Sequence, residues 1–385
     1  MAEPLTLQAL INAYPPSLDH QPLSMQKRKV CQHIQACRTP VMGGLKLRCD
    51  HCGHDAAQYH ACRDRHCPQC QFRQQTQWCD RQRAQVLPVT YHHVVFTLPH
   101  ELNGWVEVHP EVIYRSLFHS VWATLKAFGE DPRRLNGQLG MTAVLHTWGQ
   151  NLMRHVHLHC LIPGGALTQQ NHWNPAKSTY LFPVKALSRV FRGKMVSALR
   201  QAQQKQELDR IRHPHEIDQT LDTLMEKDWV VYSRHCLTQT RGVIDYLGRY
   251  THRIALTNSR LLGMRQNKVI LRYKDYRDQR TKQLRIAPEE LIRRFLLHVL
   301  PKGLMRIRHY GFLANCCREK RLSAIRKALE QPDESTTRDQ DENGAGEKAH
   351  ELPDLISPPK PMPCPECKTG VMRVIGELQA VPDHR

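Results

Sequence analysis

Cys49 and Cys52 are followed by Cys67 and Cys70, a Cys-x2-Cys-x14-Cys-x2-Cys array whose spacing lets two thiolate pairs close one tetrahedral zinc site. Two intervening residues allow one tight turn to aim both sulfurs at one ion, and Gly53 and Pro68 supply turn character beside the pairs. The chain has 14 cysteines, and a third such pair, Cys364 and Cys367, stands near its end. Random placement of that many cysteines gives only about 0.5 such pairs. The array predicts a small metal-organised domain, and thiolate donors select zinc over hard cations. A site closed by four protein ligands has no open position, so its role is folding and docking. Cys37, His54, His60, Cys62 and His66 crowd the same segment. They leave open a second site, or the replacement of one of the four ligands by Cys62. Cys364 and Cys367 form half a site, either an inert thiol pair or ligands that share an ion with His384 or with another chain.

The formal charge of +19 favours a polyanionic partner, because neutralised phosphates release their condensed counterions. A membrane partner is disfavoured: the longest apolar stretch, Val112 to Phe128, is interrupted by Arg115, His119 and Lys126, and no run of about 18 apolar residues exists. Met1 to His20 carries neither Lys nor Arg and lacks a secretory signal. The expected location is cytoplasmic. In that compartment clustered cysteines read as metal thiolates, not disulfides.

Beyond the cysteine-rich segment, YHHVVFTL from Tyr91 to Leu98 is rich in β-branched and aromatic residues and stops at Pro99, which predicts a strand. A helix is expected over Glu111–Phe128, with Val112, Leu117, Val121 and Leu125 on one face. Strands follow at Gly140–Thr147 and Arg154–Ile162, a helix at Val184–Gln206, and short strands at Trp229–Tyr232 and Lys268–Tyr273. A helix is expected over Gly242–Tyr250, and Pro288–Arg318 reads as largely helical and basic. Interspersed helices with strands close enough to pair antiparallel give an α+β fold class. The domain reading is 1–85 for the zinc-binding domain, 86–320 for a catalytic domain with a basic helical extension, 321–362 for a polar disordered linker and 363–385 for a short tail.

His155, His157 and His159 alternate through RHVHLHCLIPGG. Alternate residues of a strand share a face, so the three imidazoles project into one site while Val156, Leu158 and Cys160 face the core. Imidazoles fixed on one strand are a metal platform. Downstream, in DYLGRYTHR, Tyr246 and Tyr250 are four apart and lie on one face of a helix. Tyrosine is a weak nucleophile at its usual pKa near 10, and needs a neighbouring cation or a polarised electrophile. Arg249 and Arg253 stand where they favour phenolate or hold phosphate. By itself a Tyr-x3-Tyr pair more often packs a helix.

Zinc module, histidine strand and tyrosine helix, in that order, resemble the HUH rolling-circle transposases of the IS91 type, bacterial insertion-sequence enzymes related to the common-region elements. The resemblance rests on CRDRHCPQCQ from Cys62, VVFTLPHEL from Val94, VLHTWGQNLMRHVHLHCLIPGG from Val144, FPVKALSRVFRGK from Phe182, YLGRYTHRIALTNSRL from Tyr246, YKDYRD from Tyr273 and HVLPKGLMRIRHYGFLAN from His298. It implies an HUH domain with a central antiparallel sheet flanked by helices, preceded by the zinc-binding domain. His157 and His159 are then the pair that holds Mg2+ or Mn2+. Tyr246 and Tyr250 are then successive nucleophiles, acting through 5′-phosphotyrosine without a nucleotide cofactor. The third ligand expected first is His155, with His252 or Gln150 as alternatives. The implied partner is single-stranded DNA at element ends and target, gripped by Arg249, Arg253, Lys274, Arg277, Arg293, Arg294, Arg306 and Arg308, with Tyr273, Tyr276 and Trp148 as base-stacking rings.

Three other readings compete. A three-histidine zinc hydrolase on His155, His157 and His159 needs no tyrosine. A plasmid replication initiator or relaxase shares the tyrosine chemistry. A zinc-dependent DNA-binding regulator has no chemistry at all.

Overall fold

The alternation in YHHVVFT and RHVHLHCLIP becomes two neighbouring strands of one sheet in the computed structural model. It describes residues 4–16, 23–71, 82, 85–176, 180–211, 213–236, 248, 254–275, 278–330 and 362–381. In chain order the elements are α1 (Leu7–Ala13), α2 (Met25–Ala36), β1 (Gly44–Cys49), β2 (Asp55–Tyr59), β3 (Tyr91–Thr97), α3 (Asn103–Val108) and α4 (Pro110–Glu130). There follow β4 (Gly140–Trp148), β5 (Arg154–Pro163), β6 (Gly165–Leu167), β7 (Trp173–Pro175), α5 (Val184–Gln204), α6 (Pro214–Glu226) and β8 (Val231–Cys236). The last are β9 (Leu261–Arg265), β10 (Lys268–Lys274), β11 (Thr281–Ile286), α7 (Pro288–Leu296), β12 (Ile307–Gly311), α8 (Arg318–Glu330) and β13 (Met372–Leu378). These form two compact units, Met1–Gln35 with Arg63–Glu330, and Ala36–Cys62 with Gln331–Arg385.

The larger unit is built on a five-stranded antiparallel sheet in the order β12-β4-β5-β3-β8. Its mixed α+β character, a central antiparallel sheet with helices against it, is the fold class expected from the sequence. Period-two alternation divides the sheet's faces. Val94, Phe96, Ala143, Leu145, Val156, Leu158 and Cys160 are buried in one core, as expected for Val156, Leu158 and Cys160. Two helices cover that face. On α4, which Pro110 starts, Ile113, Leu117, Val121, Leu125 and Phe128 form the buried stripe. On α5, Leu187, Phe191, Met195 and Leu199 do the same, and Phe191 meets Phe96 edge to face at 5.1 Å. Truncating such a core residue to Ala costs about 2–5 kcal/mol. The opposite face carries the histidines.

Two expectations are corrected. Pro288–Arg318 is helical only through Leu296; Ile307–Gly311 is a strand that pairs with β4, Ile307 opposite Val144. IRHYG has no apolar period, and its strand state is set by the edge it joins. Residues 321–330, expected within the polar linker, belong instead to α8, which continues to Glu330 with Leu322 and Ile325 buried. No helix among the described residues is long and apolar enough to cross a membrane.

The smaller unit is a three-stranded sheet, β13-β1-β2. Its last strand comes from the far end of the chain, antiparallel to β1, with Gly44 opposite Leu378 and Cys49 opposite Met372.

Candidate functional site

Register decides which histidines meet. On β4 and β5, His146 is paired with His157 and Val144 with His159. A bulge between His146 and Trp148 adds local twist at the end of this hairpin. His146, His157 and His159 each offer a ring nitrogen within 4.8 Å of the others. This set contains the expected His157 and His159, but its third member is His146, not His155. His155 is exposed, and its carbonyl accepts a hydrogen bond from His157 Nδ1 at 2.8 Å. His146 escaped sequence reasoning because a lone histidine in VLHTW carries no motif. The signal available was its place near the end of a strand that pairs with the histidine strand.

Hydrogen bonds fix the rings. Donation from His157 Nδ1 to a carbonyl leaves the lone pair on Nε2, the form in which imidazole binds a metal. His159 Nδ1 lies 2.8 Å from His93 Nε2, and the two rings stack with 9° between their planes. With the shared proton on His159 Nδ1, the lone pair of that ring again sits on Nε2. His93 is buried, and burial together with Arg234 lowers its pKa to about 4, so it is neutral at pH 7. Trp148 lies over His146, ring centres 4.6 Å apart. It is 9% exposed. His298 braces the turn between the two strands: Nδ1 is 3.1 Å from Thr147 Oγ1 and Nε2 is 2.9 Å from the Leu152 carbonyl. Leu152 sits at φ 63°, a conformation L residues seldom adopt. Three imidazoles of this kind suit a divalent transition metal or the softer end of the Mg2+/Mn2+ pair.

Tyr246, Tyr250, Arg249, Arg253, His252, Tyr276 and Arg277 lie outside the described residues. The other predicted DNA contacts are dispersed. Lys274 is exposed at the end of β10. Arg293 and Arg294 both bind the Glu290 carboxylate, at 2.5 and 2.7 Å. Arg308 lies over the Phe118 ring at 4.1 Å. Arg306 is half-buried, and desolvation with help from Arg65 pulls its guanidinium down to about 10. The Gln150 carbonyl accepts from Arg260.

The thiols regroup as well. Cys49 and Cys52 are joined by Cys364 and Cys367, the four sulfurs within 4.8 Å of one another. This corrects the expectation that Cys67 and Cys70 complete that set. The physical reason is the β1–β13 pairing, which delivers the C-terminal pair directly onto Cys49. Cys67 and Cys70 are themselves buried in the larger unit, in a turn where the Cys70 amide donates to the Cys67 carbonyl at 3.2 Å. His66 is committed elsewhere: Nδ1 to Asp64 at 3.0 Å, and Nε2 accepting from the Leu300 amide at 3.3 Å.

With both arrangements in view, comparison with known proteins decides the family. Residues 9–98 match the family model described as "Transposase zinc-binding domain", and residues 140–321 match "Putative transposase". A protein of Sinorhizobium fredii named "Putative transposase y4qJ" is 41% identical over 318 residues, 80% of this chain and 80% of the relative. The chain belongs to the IS91-type transposase family. A more distant relative, "Transposase for insertion sequence element IS801" of Pseudomonas savastanoi pv. phaseolicola, is 27% identical over 316 residues, 76% of this chain and 72% of the relative. No solved structure matches. The histidine set of this transposase falls inside the second matched region. Cys49 and Cys52 fall inside the first, and a tetrathiolate in a zinc-binding domain fits a structural zinc. Cys364 and Cys367 fall outside both.

Proposed function

We propose that this chain cleaves and rejoins single-stranded DNA through 5′-phosphotyrosine intermediates during rolling-circle transposition of an insertion sequence. The observation that carries the reading is the convergence of His146, His157 and His159 on one face of the central sheet, in a chain of a transposase family. Mg2+ or Mn2+, if bound there, would supply Lewis-acid polarisation of a phosphate oxygen. His146, His157 and His159 supply its protein ligands, and His93 holds the His159 ring in place. The phenolate of Tyr246 or Tyr250 attacks phosphorus in line; the bond to the 3′ oxygen breaks, and that oxygen takes up a proton. One phosphodiester is exchanged for another of similar energy, so no nucleotide cofactor is consumed. The second tyrosine repeats the step on the target while the first keeps its covalent end.

Chain length supports the meeting of tyrosine and histidine. Ile254 and Ala255 line the same small cavity as Trp148 and His298, and Trp148 lies on His146. Tyr250 precedes Ile254 by four residues, a span of at most about 14 Å. The hydrolase reading would keep three imidazoles, with His146 in the place of His155, and differs in needing no tyrosine.

Labelled single strands from the ends of the encoding element, incubated with the full chain and Mg2+ or Mn2+, test the proposal. Ion-dependent nicking with protein retained on the 5′ end is expected. Nicks with unblocked 5′ phosphates would contradict it.

A further inference from the structure

Cys364 and Cys367 belong to neither matched region, yet they are built into the smaller unit as a mirror of Cys49 and Cys52. In each pair the backbone closes the same turn: the Gly53 amide donates to the Cys49 carbonyl at 3.2 Å, and the Lys368 amide to the Cys364 carbonyl at 3.0 Å. The residue after each second cysteine has positive φ, 72° at Gly53 and 58° at Lys368. Glycine takes that conformation readily; for lysine it is uncommon, and holding it there aims both sulfurs inward.

Sulfur distances match ligands that share one ion and exclude a disulfide. Cys49 Sγ lies 3.7 Å from Cys367 Sγ, and Cys52 Sγ lies 3.7 Å from Cys364 Sγ. A tetrahedron with zinc–sulfur bonds of about 2.3 Å has edges of about 3.8 Å, whereas a disulfide is about 2.05 Å. Amides point at the sulfurs: those of His51 and Cys52 reach Cys49 Sγ at 3.4 Å, and that of Gly370 reaches Cys367 Sγ at 3.3 Å. Such donors stabilise thiolate over thiol.

Strand pairing and side-chain contacts also bring the C-terminal pair to the site. Strand β13 runs in register with β1. Asp50 accepts from the Val371 amide at 2.7 Å and from Arg373 at 3.2 Å. A side chain at Gly370 would strike Cys49 Sγ at 2.4 Å, so a residue without Cβ is required where the two knuckles touch. The apolar core, in contrast, amounts to Leu47, Cys49, Cys364 and Met372 with a few partly buried neighbours. Units with so little core need a metal or a covalent link to stay folded.

We propose that Cys49, Cys52, Cys364 and Cys367 hold one structural zinc, so that the zinc module extends beyond its N-terminal family region and is completed by the last strand of the chain. The segment between the two halves is then a closed loop, tied at both ends by one ion. This site stands apart from the tyrosine chemistry, and its failure would leave that reading untouched.

The test uses the full chain with a protease recognition sequence inserted within 331–361, together with C364S/C367S and, as control, C316S/C317S. Mass spectrometry of the native protein should show one zinc fewer per chain in C364S/C367S and no loss in the control. After cleavage, the C-terminal fragment should co-elute with the remainder and separate from it when zinc is chelated. Reaction of Cys49 and Cys52 with iodoacetamide should rise at least tenfold in the variant. Unchanged zinc content in C364S/C367S would overturn the proposal. So would a fragment that departs while all zinc stays with the larger piece, or a zinc-dependent dimer that the variant converts to monomer.

Discussion

The side chains of His93 on β3 and His159 on β5 meet nitrogen to nitrogen at 2.8 Å, with their rings nearly parallel. A neutral, buried imidazole thus backs one of the three histidines that converge on the sheet, and second partners of this kind set the tautomer and orientation of a ligand. His93→Ala should weaken Mn2+ binding by about 10–100-fold, with His93→Gln recovering part of it. Calorimetric titration together with a thermal melt separates this from a folding defect. Full affinity in a folded His93→Ala would remove the positioning role.

His146 and His155 separate two views of the third ligand. Loss of His146 should abolish measurable Mn2+ binding and ion-dependent nicking, while His155→Ala should bind Mn2+ within about threefold of the parent, since it leaves the three imidazoles and second partners intact. Electron paramagnetic resonance of bound Mn2+ reads both. The reverse ranking would restore the sequence-based assignment.

Stability should depend on pH through His298. Burial lowers its pKa to about 4 from 6.5, so between those values the unfolded chain takes up a proton that the native chain refuses. Unfolding free energy therefore falls as pH drops from 6.5 to 4, by about 3 kcal/mol from this group at the lower end. His298→Gln, which keeps a donor for the Leu152 carbonyl, should flatten part of the slope. Melting temperatures across that range measure it, and an unchanged slope would contradict the assignment.

Much of this architecture was legible in the sequence, and the exceptions share a cause. Alternation in RHVHLHC fixed the strand and its two faces, and the stripe from Leu117 to Leu125 fixed the helix that covers it, because both patterns are local. His146 was hidden because ligation depends on register across β4 and β5, a relation between segments. The pairing of Cys49 and Cys52 with Cys364 and Cys367 was hidden for the same reason at greater range. Nearest spacing along the chain pointed to Cys67 and Cys70, whereas β13 brings the distant pair onto β1. The IRHYG strand was missed because an edge strand takes its state from its neighbour.

Single-stranded DNA binding should weaken steeply with salt. With a charge of +19, neutralising about six phosphates gives a slope of about −4 in log affinity against log salt. Fluorescence anisotropy between low and moderate salt measures the slope. A flat response would argue against phosphate contacts as the main source of affinity.

The central claim is that a phenol of Tyr246 or Tyr250 and the His146, His157 and His159 set act on one scissile phosphate. Peptide mapping of the protein captured on a cleaved single strand tests it most directly. A phosphonucleotide on Tyr246 or Tyr250, absent from the His157→Ala chain, is the predicted result. An adduct on any other residue, or one that forms equally in His157→Ala, would contradict it.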